Sequence, residues 1–171
     1  PVVDTTLEMN AQHPNKRLIA HFLPPHAPFT IRNGEEIPQH SKYRDFTAVR
    51  NGEVSQAEIQ SVYEENVEYV LDHVAGLVDK LDGKTVITAD HGELLGEGIP
   101  WYARLLHPRW EFKERHHFDY EHYRYVREPE LIEIPWLKID GDRREIRADT
   151  PVGDNLDTST IDQQLDALGY K

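Results

Sequence analysis

The stretch SQAEIQSVYEENVEYVLDHVAGLVDKLDGKTVITADHG, residues 55–92, decides the fold reading. It opens on Ser55-Gln-Ala-Glu58, a capping box in which a hydroxyl and a carboxylate satisfy the free amides of a helix start. Ile59, Val62, Tyr63, Val67, Val70, Leu71, Val74, Leu77, Val78 and Leu81 then recur at the three-and-four spacing of one buried stripe. The pair Asp82-Gly83 ends the helix. Lys84-Thr-Val-Ile-Thr-Ala89 is a β-branched run of strand length. Upstream, Arg17-Leu-Ile-Ala-His-Phe-Leu23 is a compact apolar run closed by Pro24-Pro25, as expected of a strand buried on both faces. Strand, long helix and strand together predict a right-handed crossover between two parallel strands, an α/β unit.

The rest of the chain is arranged around this unit. Asp4 to Gln12 is predicted as a short surface helix. Residues 24–54 carry Pro, Gly and Asn without a period, and read as one long loop of the kind that carries function at strand ends. A short helical stretch is expected near Glu93 to Leu95, followed by an irregular region rich in aromatic and histidine residues to about Glu130. Leu131 to Ile139 reads as a further strand, with Pro135 placing it near a sheet edge. Ser159-Thr-Ile-Asp162 is a second capping box, with Ile161, Leu165 and Leu168 in a closing helix stopped by Gly169. Residues 1–171 read as one domain, and 140–171 as an extended segment plus that helix.

Composition excludes several classes. The chain holds 31 acidic and 19 basic side chains, a formal net charge of −12, which argues against binding a nucleic-acid backbone. Seven Lys against twelve Arg, on so acidic a surface, fit a protein from a high-salt cytoplasm. No Cys is present, so disulfides, thiolate metal sites and cysteine nucleophiles are out. No segment has the ~20 apolar residues of a membrane span, and no charged-then-apolar leader opens the chain. The expectation is a cytoplasmic protein.

In parallel α/β sheets, ligands bind beyond the carboxyl ends of the strands. There the first strand would deliver His21 and His26, and the second Asp90 and His91. Carboxylate beside imidazole gives a hard oxygen and a nitrogen donor, a mixture suited to a divalent cation. Gly92 leaves room for close backbone approach, and Glu93 would open the next helix, where an acid suits the dipole. His21, on the strand itself, is expected to pack in the core.

Four motifs, His21-Phe-Leu-Pro-Pro-His-Ala-Pro-Phe29, Thr88-Ala-Asp-His-Gly-Glu-Leu-Leu-Gly-Glu97, Pro129-Glu-Leu-Ile-Glu-Ile-Pro-Trp136 and Leu165-Asp-Ala-Leu-Gly-Tyr170, resemble the carboxyl-terminal half of sulfatases, members of the alkaline phosphatase superfamily. The acidic sulfatase-like proteins of haloarchaea are the nearest in kind. The resemblance implies a three-layer α/β/α, alkaline phosphatase-like fold with a mostly parallel sheet, here incomplete, and hydrolysis of sulfate or phosphate esters with a bound divalent metal. Calcium or magnesium would be the usual ion, with zinc or manganese as alternatives. By motif, Asp90 and His91 match the metal-binding pair and His26 the histidine that contacts the oxyanion or leaving group. His122 falls near a further Lys or His of the site, with Glu121 where related sequences often have Gly.

One departure bears on activity. The family's nucleophile arises from Cys or Ser in a Cys/Ser-x-Pro-x-Arg motif, and none of Ser41, Ser55, Ser61 and Ser159 has Pro two residues on. The expectation is therefore a fragment lacking the nucleophile-bearing amino-terminal half, without turnover or tight metal binding alone, and prone to self-association. A phosphatase or phosphotransferase, or a non-catalytic acidic module with relic motifs, are the competing readings. His107, His116 and His117 are expected to be solvated or packing residues, Trp101, Trp110 and Trp136 core or sheet anchors, and Glu64, Glu65 and Glu68 a solvated helix face.

Overall fold

The computed structural model describes residues 2–98, 119–122 and 126–148. In chain order the elements are α1 (Val2–Gln12), β1 (Ile31–Arg32), β2 (Glu35–Glu36), α2 (Thr47–Arg50), α3 (Gln56–Val78), β3 (Thr85–Thr88), β4 (Leu94–Leu95), β5 (Tyr120–Glu121), α4 (Pro129–Ile132) and β6 (Trp136–Ile139). The closing helix expected from Ser159, the histidines at 107, 116 and 117, and Trp101 and Trp110 lie outside the described residues.

Helix α3 starts where its capping box requires. Ser55 Oγ accepts from the Glu58 amide at 3.3 Å, and Glu58 Oε2 accepts from the Ser55 amide at 3.0 Å and hydroxyl at 2.8 Å. The Tyr43 hydroxyl donates to Glu58 Oε1 at 2.9 Å. These donors, the Ser55 amide first, hold the Glu58 carboxyl down at about 2, against an ordinary 4.5. A depressed carboxyl contributes stability that is complete above its unfolded value and is lost as pH falls through the folded one. We therefore expect the urea midpoint of the wild type to fall between pH 4.5 and 2 more steeply than that of Glu58→Gln; parallel curves would show that the cap carries no charge-dependent stability. Ser55→Ala should cost about 1 kcal/mol at neutral pH.

The helix stops at Val78, a few residues before Asp82-Gly83, and tightens through Lys80 N–H to Leu77 O and Leu81 N–H to Val78 O, both at 3.0 Å. Its buried positions are Ile59, Val62, Asn66 and Leu77. Of these, Ile59 and Val62 close the core from one side; the other side comes mainly from the segment read as a long loop. Phe29, Ile37, Phe46, Ala48, Val49 and Val54 join Ile59, Val62 and Tyr120 in one cluster. Phe29 and Phe46 meet edge to face at 5.3 Å, and Phe46 stacks on Tyr120 at 5.9 Å. Between β1 and β2, Asn33 and Gly34 have φ of 51° and 74°, the paired left-handed geometry that Asn-Gly provides in a two-residue hairpin.

The expected parallel sheet is overturned. The sheets are three antiparallel pairs, β1–β2, β3–β6 and β4–β5, so the described residues form no three-layer alkaline phosphatase-like fold. Strand β3 pairs with β6, Thr85 opposite Ile139 and Thr88 opposite Trp136. The run Arg17–Leu23 joins no ladder, and Ile19 is 96% and Leu23 62% exposed. Hydrophobicity favours burial, but nothing in a short apolar run names the surface that will cover it. Helix α3 packs on β1, β4 and α1 instead of bridging two parallel strands.

Three smaller expectations change with it. In place of the helical stretch expected near Glu93 to Leu95, Leu94 and Leu95 form the two-residue strand β4. Leu131–Ile139 splits into α4, with Pro129 at its first position where no amide is needed, and β6, entered directly after Pro135. Trp136 opens β6, but with 70% exposure its side chain is no core anchor. Residues 140–148 carry no helix or strand; Arg144 ties them to the end of α1 through Asn10 Oδ1 at 2.7 Å and Pro14 O at 2.6 Å. Among the described residues no helix is long and apolar enough to cross a membrane.

Candidate functional site

Strand β3 runs out into Ala89 and Asp90, and the chain is then pinned by backbone contacts. Gly92 N–H donates to Leu131 O in α4 at 2.9 Å. A Cβ on Gly92 would run into the Glu130 carbonyl, so the close approach foreseen for this glycine is made, against α4. Beside it, the Asp90 carboxylate accepts from the His91 amide at 3.1 Å and lies 3.8 Å from His91 Nε2. His91 Nδ1 is 2.8 Å from Gly92 O.

The β4–β5 ladder brings the second part of the site. Leu94 pairs with Glu121 and Leu95 with Tyr120, so the next facing positions are Glu93 and His122. Cross-strand neighbours lie within side-chain reach, and Glu93 Oε1 receives His122 Nδ1 at 3.0 Å. Leu95 O is fixed to α3 by the amides of Gln56 at 3.1 Å and Gln60 at 3.0 Å. At the far side of the ladder Arg50 Nη2 holds Glu121 Oε2 at 2.8 Å. Glu121 itself has φ 72°, a left-handed conformation that favours Gly.

Three histidine rings meet here. His122 lies 4.0 Å from His91 and 5.2 Å from His26, centroid to centroid. His26 Nδ1 contacts the Ala27 carbonyl. A carbonyl oxygen only accepts, so Nδ1 of His26 and of His91 is the donor in these contacts. His26, His91 and His122, distant in sequence, are thus brought together with Asp90 alongside. His21 is exposed and packs in no core.

Electrostatics single out His122. The hydrogen bond to Glu93 raises its pKa above the ordinary imidazole value; the charges of Glu93, Glu121 and Asp90 add to this, and burial opposes it. A raised base contributes stability that is complete below the unfolded pKa and fades as pH rises through the folded one. The ring therefore stays protonated to higher pH than a free imidazole does, and in its protonated form it carries a proton on Nε2 for an anionic oxygen.

As metal donors the residues fall short of a site. Asp90 and His91 provide one oxygen and one nitrogen, whereas zinc takes about four donors and calcium six to eight. Among the described residues no three His, Asp or Glu side chains form a group that could hold a metal ion. Glu93 was missed by sequence reasoning as a partner in the site. Its motif position suggested a helix start, and nothing in a two-residue strand announces its register.

No family model and no solved structure matches the chain. The chain is 32% identical over 87 residues to the low-salt glycan biosynthesis sulfotransferase Agl7 of Haloferax volcanii, a match covering 47% of this chain and 20% of that protein. It therefore spans about a fifth of the relative's length, and the likeness places the chain next to a sulfate-handling protein.

Proposed function

We propose that this chain is part of an enzyme acting on sulfate esters, in which His26 and His122 contact the oxyanion or leaving group, and Asp90 and His91 are two of the donors to a divalent cation. The observation that carries the reading is the meeting of His26, His91 and His122 beside Asp90. The similarity to a sulfotransferase supports sulfate as the group handled. Chemically, an imidazolium Nε2–H is a charge-assisted donor to a sulfate oxygen, and the same proton can pass to a departing alkoxide. No nucleophile is assigned within this chain.

The test is a sulfate titration followed on the histidine ring protons by NMR. Saturable shifts at His26, His91 and His122, with a Kd of about 1 mM or tighter, are expected, weakened in His122→Gln. Absence of a saturable shift at all three rings would overturn the reading. Titration calorimetry with calcium, magnesium, manganese and zinc should find only weak binding, since two donors leave most of a coordination sphere unfilled. Stoichiometric submicromolar binding abolished by Asp90→Ala would show a complete site instead.

A second reading is favoured by the relative's name: transfer of the sulfuryl group to a glycan hydroxyl instead of water. The two differ in the acceptor alone. With a nucleophile-bearing amino-terminal half supplied, and 4-nitrophenyl sulfate and a free sugar present, sulfur recovered on the sugar supports transfer, and inorganic sulfate supports hydrolysis. Stronger shifts with inorganic phosphate than with sulfate would favour a phosphatase or phosphotransferase.

A further inference from the structure

We propose that Glu93 is a positioning residue that locks the His122 ring, taking the proton of Nδ1 in a hydrogen bond and leaving Nε2 as the atom available to a ligand. This rests on the reading in which His122 contacts the ester. Three observations carry it. The Glu93 side chain is only 6% exposed while that of His122 is 36% exposed, so the carboxylate sits behind the imidazole, away from solvent. The two residues follow the β4–β5 register directly, so their 3.0 Å contact is set by backbone pairing and not by a chance meeting of long side chains. The ladder is braced from α2 and α3, by Arg50 on Glu121 and by Gln56 and Gln60 on Leu95 O.

A half-exposed imidazole without such a partner turns about its side-chain bonds and, in water, favours the proton on Nε2. A carboxylate acceptor at Nδ1 reverses that preference and fixes ring orientation, as orienting partners do for working histidines generally. His26 and His91 also donate from Nδ1, to backbone carbonyls of their own neighbours. His122 takes its acceptor from a different strand. Its alignment therefore depends on the ladder being formed.

The test is long-range proton–nitrogen NMR of the uniformly labelled chain at pH 9, where neutral rings report their tautomer. Wild-type His122 should show a protonated Nδ1 and a bare Nε2. A protonated Nε2 in the wild type overturns the proposal without any variant. Glu93→Gln, which keeps an acceptor oxygen in place, should keep the tautomer. Glu93→Leu, of similar size, should shift it to Nε2–H at pH 9 and, measured separately at a pH where the His122 ring is protonated, should weaken its affinity for sulfate by about tenfold, the low end of what losing an orienting partner costs. If Glu93→Leu leaves the tautomer unchanged while the Leu94 and Tyr120 signals stay native, the proposal fails. A wild type with the expected tautomer but no sulfate response would overturn the functional reading alone, and leave the positioning role standing.

Discussion

Replacing Asn66 with leucine will cost the fold about 3–5 kcal/mol, enough to remove much of the 5–15 kcal/mol that holds a typical domain. The side chain is 1% exposed and all its hydrogen-bonding capacity is used. Oδ1 accepts from the Thr30 amide at 2.8 Å, the Thr30 hydroxyl at 3.0 Å and the Ile31 amide at 3.3 Å. Nδ2 donates to Ile31 O at 2.8 Å and to Val62 O at 2.7 Å. Leucine matches the volume but strands two amides and a carbonyl of residues 30–31 against α3, and each unsatisfied buried group costs about 1–3 kcal/mol. Asn66→Asp keeps the acceptor and loses both donors while burying a charge, so it should also be destabilising, and less so below pH 4. Urea midpoints decide the matter. A loss under about 1 kcal/mol for Asn66→Leu would mean that water replaces the network at little cost. The consequence reaches the site, because Thr30 lies four residues beyond His26 and its anchoring helps to hold that segment on the core.

Asn66 also shows where sequence reading stopped. The capping box and apolar spacing gave the start and length of α3 closely, because both are local properties of consecutive residues. Spacing marked Glu64, Glu65 and Glu68 as an outer face, yet a buried Asn within the stripe has no periodic signature; it becomes visible only when Thr30 and Ile31 are placed beside it. The same limit explains the core. Phe29, Ile37, Phe46 and Val54 were legible as apolar residues, but they recur without a period because most of residues 24–54 are turns and short elements, so the segment read as a loop. Asn33-Gly34 was the one strong local signal there, and it marks a hairpin.

The sheet failed for a different reason. A β-branched run such as Thr85–Thr88 specifies extended backbone, not its partner, and strand pairing is decided by contacts distant in the chain. The parallel partner inferred from Arg17–Leu23 was a topological preference applied to an apolar run. In the structure that run is left largely in solvent, and β6 takes its place in the opposite direction. The motifs named Asp90, His91 and His26 as candidates and the distance to Pro135 named His122, and the structure brings the three rings together, whereas the Glu93 contact depends on a register that two-residue strands do not encode.

The same substitution, Gly to Ala, should have opposite effects at two positions of this chain. At Gly76, inside α3, nothing lies within 4 Å of the added methyl, so Gly76→Ala should stabilise by up to about 1 kcal/mol through helix propensity. At Gly92 the methyl meets the Glu130 carbonyl, with the carbonyl carbon at 3.0 Å and Leu131 Cα at 3.5 Å. These are backbone atoms, which cannot swing aside as the end of a long side chain can. They belong to α4, which is held by the buried Leu131 and started by Pro129. Relief requires either breaking the 2.9 Å bond from Gly92 N–H to Leu131 O or shifting α4. Overpacking of this kind costs about 1–3 kcal/mol, and the lost hydrogen bond about 1 kcal/mol more. Gly92→Ala should therefore lose about 2–4 kcal/mol, summing those two costs, and it should also move His91, whose Nδ1 is held by Gly92 O. Thermal midpoints of the two variants measured side by side test the contrast, and His91 ring shifts report the displacement. If Gly92→Ala unfolds at the wild-type midpoint with an unchanged His91 signal, α4 is not packed on Gly92 and the backbone pin beneath Asp90 and His91 does not exist.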